Sequence, residues 1–60
     1  MKMNTYRYGR KSSPMGSWYS IEKKGFLGFW FEEFTFGSRG KMEDTAKKLD
    51  EKGHLVIKIN

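Results

Sequence analysis

Cysteine is absent from this chain of 60 residues, and proline and histidine each occur once. Without cysteine there is no disulfide and no thiolate metal site, and the single His54 cannot make a zinc site without carboxylate help. Domains this small usually need a disulfide, a metal or self-association as support. We therefore expect no metal and no cofactor, and we expect aromatic packing or association to stabilise the fold.

Long apolar runs are also absent, whereas spanning a bilayer takes roughly 20 consecutive apolar residues. No apolar segment typical of a signal peptide follows the opening Met-Lys-Met-Asn. A chain without cysteine is compatible with a reducing compartment. We therefore expect a cytoplasmic protein with no membrane partner.

Side-chain pairs that could perform catalysis are missing as well. A nucleophile needs a base within hydrogen-bond reach, and His54 directly follows the predicted helix, where it favours the helix C-terminus. Glu32 and Glu33 are expected on opposite faces of a strand. Glu43 and Asp44 are adjacent on the helix and do not face each other. We therefore predict no catalytic residue and no enzymatic activity.

Aromatic side chains dominate residues 26–36, where six of eleven residues are Phe or Trp. Read as one strand, the run alternates between two faces: Phe26, Trp30, Phe34 and Phe36 on one, and Leu27, Phe29 and Phe31 on the other. Gly28 is typical of a bulge, which would change this assignment. A chain this small has little material with which to cover both faces. One row is therefore expected to bind a ligand, or to be covered by the N-terminal segment or a second copy.

The hydrophobic pattern predicts a small α+β domain with the order ββαβ over residues 18–60. Its three-stranded, mostly antiparallel sheet carries one helix on one face. The predicted strands lie at residues 18–23, 26–36 and 54–59, and the predicted helix lies at residues 41–51. Residues 23–25 are expected to form the tight turn between the first two strands, since Gly25 can adopt positive φ.

The predicted helix has a narrow apolar stripe formed by Met42, Ala46 and Leu49. Gly53 is suited to end this helix. The last strand alternates, with Leu55, Ile57 and Ile59 on one face and Val56 and Lys58 on the other. We expect the helix to pack on the first of these two rows and on one row of aromatic side chains.

Excess positive charge is confined to the first 24 residues. The formal net charge is +5, while residues 25–60 hold six basic and six acidic side chains. Residues 1–17 contain Gly, Ser and Pro and are read as an extended basic arm, in which residues 5–8 have the propensity for an edge strand. Such an arm faces an anionic partner or serves solubility. The candidate contacts to nucleic acid in this region are Lys2, Arg7, Arg10, Lys11, Lys23 and Lys24.

Residues 37–41 join the aromatic run to the start of the predicted helix. Free N–H groups at a helix N-terminus bind anions, and Arg39 and Lys41 could add side-chain contacts to a phosphate. The Gly-Ser-Arg-Gly spacing is similar to the G-x-x-G loop of KH domains. The alternative, which we favour, is a plain turn in which Ser38 or Gly40 caps the helix.

Residues 24–29, Lys-Gly-Phe-Leu-Gly-Phe, together with Phe31 resemble the K-G-F-G-F surface motif of RNA-recognition and cold-shock domains. Leu27 is one residue more than that motif has. In those families alternate aromatic side chains on one sheet face stack on bases. The resemblance implies a single-stranded nucleic-acid surface beside the basic arm, with Tyr6, Tyr8, Trp18 or Tyr19 available for further stacking.

A second resemblance concerns the order of elements. A short polar arm, a hairpin with Trp and Glu, one helix and a last strand of alternating aliphatic and basic residues resemble the small early proteins of podoviral coliphages that inhibit bacterial RNA polymerase. The resemblance implies a non-enzymatic protein that acts in the host cytoplasm by occupying a surface of its target. The matching charged positions here are Lys58, Glu32 and Glu33.

Three functions stay open from the sequence. We favour an interaction or inhibitor protein that binds a host protein of the nucleic-acid machinery. The second resemblance implies that such a protein is encoded by a phage. The alternatives are a module that binds single- or double-stranded nucleic acid directly and a structural homodimer. The candidate residues of the protein interface are Trp18, Tyr19, Phe29, Trp30, Phe31, Glu32, Glu33 and Lys58.

Overall fold

The computed structural model describes residues 3–59, so Lys2, one of the predicted basic contacts, lies outside the described residues. Over this range the chain has an α+β fold in which a mixed sheet of four strands carries one helix. In chain order the elements are β1 (Thr5–Ser13), β2 (Gly16–Lys24), a single 3-10 turn (Phe26–Gly28), β3 (Trp30–Phe36), α1 (Arg39–Glu51) and β4 (Leu55–Lys58). The predicted α+β class is confirmed, but the predicted count of three strands is wrong because it lacks β1.

Strand β1 lies inside the sheet, whose order is β3-β2-β1-β4. It pairs antiparallel with β2 and parallel with β4. The strand expected at residues 5–8 is present, but it lies between β2 and β4 and not at an edge, and it continues to Ser13. The extended arm is therefore wrong for residues 5–13. Gly9 was read as a loop residue, yet it is buried opposite Ser20 in the middle of the sheet. Pairing with β2 through residue 13, and with β4 over residues 5–8, outweighs the weak strand propensity of glycine and serine here.

The aromatic run does not form one strand. Strand β2 ends at Lys24, and a 3-10 turn follows before β3 begins at Trp30. Inside this turn Leu27 has φ of 69°, which is the left-handed region. The predicted tight turn at residues 23–25 is thus replaced by a longer connection. A bulge does occur, but it lies at Glu33 and not at Gly28. Ile21 pairs with Phe34 and Glu22 pairs with Glu32, so Glu33 is the extra residue of β3 between these two pairs.

The hydrophobic core lies between α1 and one face of the sheet. It contains Tyr6, Ile21, Met42, Ala46 and Leu49, with Tyr8, Tyr19, Phe36 and Val56 packed against it. The predicted helix stripe is therefore confirmed. The predicted packing of the helix on Leu55, Ile57 and Ile59 is wrong, and these three side chains are exposed. Because β4 pairs with β1 in the register that sets Val56 beside Tyr6, Val56 faces the helix instead.

Both ends of α1 follow from local chemistry. The Ser38 hydroxyl oxygen accepts the N–H of Lys41 at 3.3 Å, which is a helix N-cap. At the other end Gly53 has φ of 96°, and its N–H donates to the carbonyl of Asp50 at 3.0 Å. This left-handed residue ends the helix as predicted. His54 then accepts the N–H of Asn4 on its Nδ1 at 3.1 Å, which joins the helix end to the start of β1.

Two further observations concern membrane-spanning helices and metal-binding clusters in residues 3–59. No helix there is long and apolar enough to cross a membrane. Over the same residues, no group of three or more His, Asp or Glu side chains is arranged to hold a metal ion.

Burial of Ile21 should account for a measurable share of the stability. Ile21 is fully buried under α1, whereas Ile57 is exposed on the other face of the sheet. We expect Ile21→Val to lower the free energy of unfolding by about 0.5–1.5 kcal/mol, because it removes one buried methylene group. The matched variant Ile57→Val makes the same chemical change in water and should cost much less. Urea denaturation measures both, and equal losses would contradict the assigned core.

Candidate functional site

The face of the sheet that does not contact α1 carries a cluster of charged and aromatic side chains. Residues paired across neighbouring strands point to the same face. The pairs Arg7–Glu22, Lys11–Trp18, Glu22–Glu32 and Lys24–Trp30 are therefore on one side, opposite to the core residue Ile21. We call this side the open face. Its charged and aromatic centre consists of Arg7, Lys11, Trp18, Glu22, Trp30 and Glu32.

Glu22 lies at the centre of the open face and is only 6% exposed. One carboxylate oxygen accepts Nε of Arg7 at 2.6 Å, and the other accepts Nζ of Lys11. Burial alone would raise the pKa of Glu22, but the hydrogen bonds and positive charges of Lys11 and Arg7 together outweigh it and hold the pKa below its ordinary value. Glu22 is therefore the negative centre to which two cations are fixed.

Both tryptophans of the open face are attached to this charged centre. Nε1 of Trp18 donates to Oε2 of Glu32 at 2.9 Å. The guanidinium of Arg7 lies over the ring of Trp30, 4.3 Å from its centroid, which is a cation–π contact. The same Arg7 also donates to Glu22, so one side chain orients an indole and a carboxylate at once. The rings are therefore held in place before any partner arrives.

The charges of the cluster balance within the chain. Glu32 lies directly across from Glu22 in the strand register, and two like charges in this position repel each other. Lys11 relieves that repulsion, since its Nζ pairs with Glu22 and lies 4.0 Å from Oε2 of Glu32. Two cations and two carboxylates give a formal charge of zero. The positive charges of Arg7 and Lys11 are thus already compensated by these two glutamates.

Apolar surface flanks the cluster on one side, and an open cleft lies beside it on the other. On β4, Leu55 and Ile57 lie beside Thr5 and Arg7 of β1 on the open face, and both are exposed. At the opposite edge a shallow cleft of about 430 Å³ is lined by Trp18, Glu32, Thr35, Phe36 and Gly37. The open face therefore runs from aliphatic side chains, through paired charges, to an indole at the edge of a cleft.

Several predicted site residues lie outside the open-face cluster. Tyr19 is on the helix face, where the guanidinium of Arg39 lies 5.3 Å from its ring centroid. Lys23 and Lys58 also point to the helix face, because they pair with Tyr6 and Tyr8. The others lie near the ends of elements or in irregular segments. Arg10 is near the first hairpin turn, Lys24 ends β2, and Lys41 is in the first turn of α1. Phe29 directly precedes β3, Phe31 is the second residue of β3, and Glu33 is in the bulge.

The structure shows the conformation of the two segments that resemble nucleic-acid-binding motifs. The Lys-Gly-Phe-Leu-Gly-Phe segment leaves the sheet at Gly25, so Phe26 and Phe29 do not form the alternating strand surface that its resemblance to RNA-recognition domains implies. The loop at residues 37–40 closes by the cap of Ser38, which is the plain turn that we favoured.

Sequence reasoning missed the role of Glu22. One signal could have found it, since Glu22 is the only acidic residue among the first 24, which hold six basic side chains. Buried carboxylates are generally paired. A lone glutamate within a basic strand pair is therefore a candidate for the centre of an ion-pair network.

Comparisons with protein-family models, with curated proteins and with solved structures find no match to this chain. The function of the open face must therefore be argued from its own geometry.

The ion pairs of Glu22 should make the stability depend on pH. We expect Glu22→Gln to lower the free energy of unfolding by about 1–3 kcal/mol at neutral pH, because two cations lose a buried partner. Since the pKa of Glu22 lies below its ordinary value of 4.5 in the folded state, its ion pairs stabilise the fold above that value. That contribution is lost as the pH falls through the folded-state pKa. The difference between parent and variant should therefore shrink in acid, as measured by urea denaturation at several pH values.

Glu43→Gln is the matched control, because it removes a carboxylate from an exposed position of α1. This variant should leave the free energy of unfolding near the parent's at neutral pH. A Glu22→Gln protein as stable as the parent at neutral pH would contradict the stabilising role of the network.

Proposed function

We propose that this chain is a non-enzymatic interaction protein that binds a partner protein through the open face. The observation that carries the proposal is a cluster with two tryptophans and an arginine in which each of four charges is paired within the chain. Tryptophan and arginine are the residues most enriched where protein interfaces gain their binding energy.

Preorganisation supports this proposal. Binding a partner costs conformational entropy for each side chain that becomes fixed. Trp18 is held by Glu32 and Trp30 is held by Arg7, so these two rings are restrained before binding. The neighbouring aliphatic side chains Leu55 and Ile57 add exposed apolar area that a partner can bury. These features are typical of the centre of a protein interface.

Charge compensation favours a protein over a nucleic acid on this face. A nucleic acid gains most of its affinity from cations that neutralise phosphates. Arg7 and Lys11 are paired with Glu22, so a phosphate would have to compete with a buried carboxylate for them. The cluster has no net charge to attract a polyanion. We therefore rank direct nucleic-acid binding at this face below protein binding.

The finer proposal concerns the partner. The short polar arm of that resemblance is replaced by β1, but the order of hairpin, helix and last strand remains. The resemblance of this part to small phage proteins suggests a host protein of the nucleic-acid machinery, which the chain would inhibit by occupying its surface. No catalytic residue is part of this function. Residues of the helix face, including Tyr19 and Lys58, are not needed for it.

Site-directed crosslinking tests which face binds the partner. A photo-crosslinking amino acid at Thr35, which is exposed beside the open-face cluster, should capture a bacterial protein from a lysate. The same group at Lys47, on the exposed side of α1, is the matched control and should not. Equal capture from both positions would contradict an open-face interface.

Affinity measurements with the purified partner provide the quantitative test. We expect Trp18→Ala and Trp30→Ala each to weaken binding about thirtyfold, the effect typical of a residue at the centre of an interface. Met15→Ala, an exposed residue of the hairpin turn that is not part of the cluster, should leave the affinity unchanged. The complex should also survive moderate salt. Tight binding of labelled oligonucleotides instead, with affinity that falls steeply as salt rises, would favour the nucleic-acid alternative.

A further inference from the structure

The connection between β2 and β3 exposes four large apolar side chains at one end of the molecule. We call Phe26, Leu27, Phe29 and Phe31 the apolar tip. Phe26 is 88% exposed and Leu27 is 78% exposed, and the other two members are also exposed. Exposed apolar groups scattered over a surface need no explanation, but a contiguous cluster of this kind marks a contact site.

The backbone of the turn fixes this exposure. The N–H of Gly25 donates to the carbonyl of Phe29 at 2.7 Å, which closes the turn at its base. Leu27 at its apex is in the left-handed region, which costs free energy for a residue with a side chain. A side chain at position 25 would collide with the ring of Phe31, since a Cβ there would lie 2.5 Å from Cε2 of that ring. The apolar tip is therefore a defined turn that projects its side chains outward.

The position of the tip allows contact with a flat surface. It lies at the end of the sheet opposite to the turn at Pro14 and Met15, because β1 and β2 form a hairpin and the chain leaves β2 at its far end. Met3, at the start of the chain, is exposed at this same end and lines a shallow groove with Phe26 and Lys24. The tip can thus meet a surface end-on, with Lys24 of the open face and Lys23 of the helix face at its base.

Two lysines lie at the base of the tip. Residues 23–31 contain Lys23 and Lys24 and no acidic side chain. Within residues 3–59 neither lysine forms an ion pair, in contrast to Arg7 and Lys11 of the open-face cluster. An apolar projection with unpaired lysines at its base complements a surface that is apolar inside and negative outside.

We propose that the apolar tip is a contact site for a bilayer surface that contains anionic phospholipids. Phe26 and Leu27 enter the boundary between headgroups and acyl chains, while Lys23 and Lys24 meet lipid phosphates. A second copy fits the tip less well, since a twofold contact through it would bring the lysines of both copies together. This inference concerns the end of the sheet, where Lys24 is the one residue it shares with the open face, and it does not depend on the proposed function.

The sequence-based expectation of no membrane partner rested on the short apolar runs. Run length bears on spanning a bilayer, whereas contact with its surface needs only a few apolar side chains next to basic residues. Phe26 and Leu27 are exposed because the turn that contains them lies outside the sheet, which the sequence pattern did not predict.

Vesicle co-sedimentation tests the proposal. We expect the full chain to sediment with vesicles of phosphatidylcholine and phosphatidylglycerol, more weakly as salt rises, and to bind vesicles of phosphatidylcholine alone much less. The double variant Phe26→Ser with Leu27→Asn should reduce binding at least about tenfold, because it removes the inserted side chains. Asparagine tolerates the left-handed region, so the turn should keep its shape. Circular dichroism checks that this variant is folded.

Two matched controls distinguish binding through the tip from nonspecific binding to vesicles. Met15→Ser changes an apolar side chain that is 96% exposed at the other end of the molecule, and it should bind as the parent does. Replacing both Lys23 and Lys24 by Gln should weaken binding about fivefold per lysine, whereas the same exchange at Lys47 and Lys48 on α1 should have a smaller effect.

Three results would overturn the proposal. The first is no sedimentation of the parent with anionic vesicles at low salt. The second is binding that falls equally in the tip variant and in Met15→Ser. The third is a concentration-dependent dimer in light scattering that the tip variant abolishes while vesicles bind neither protein, because the tip would then be covered by a second copy.

Discussion

The constraint on which the structure depends is that one helix covers one face of a four-stranded sheet. Strand residues alternate between two faces, so half of the sheet side chains must be stabilised without a packed helix. The helix face is conventional, with Ile21 and Met42 fully buried between the two layers. The open face must exclude water from its strands by other means. There the long charged side chains of Arg7 and Lys11 occupy the positions on either side of the small residue Gly9.

The centre of the open face shows how this works. Gly9 and Ser20 are opposite each other on β1 and β2, and both are buried although they do not face the helix. Side chains such as Arg7 and Lys11 carry apolar stems that can cover neighbouring backbone while their charged ends bind Glu22. A buried carboxylate would be costly alone, and its two partners offset that cost. One network therefore shields the sheet and positions the tryptophans, so stability and the proposed interface are coupled.

The elements that sequence reasoning predicted are those with strong local signals. The apolar stripe of α1 and the glycine that ends the helix each depend on a few residues that are close in sequence, and both are confirmed. Strand β1 could not be recognised in the same way, since Gly9 and a Ser-Ser-Pro turn resemble a loop until β2 pairs as far as Ser13 and β4 pairs with residues 5–8. The buried face of β4 was assigned wrongly for a related reason. Val56 and Ile57 are equally apolar, and only the register with β1 decides which of them meets the helix.

The candidate site was predictable in part. Trp18, Trp30 and Glu32 were among the expected interface residues, but Arg7 and Lys11 were expected to serve a different ligand. The structure joins the two sets on one face because β1 is a central strand, which brings its cations next to the acids and indoles of β2 and β3.

Charge compensation also divides the molecule into two surfaces with different physical behaviour. In the open-face cluster Arg7 and Lys11 are paired with carboxylates, so we expect contacts made there to depend on shape and on apolar burial and to be little affected by salt. At the apolar tip Lys23 and Lys24 are unpaired within residues 3–59, so attraction to an anionic surface through them weakens as salt rises. Because the tip extends from the end of the sheet, binding there leaves the open face accessible. The proposed protein interface and the proposed lipid contact therefore differ in the dependence on salt that we expect of them.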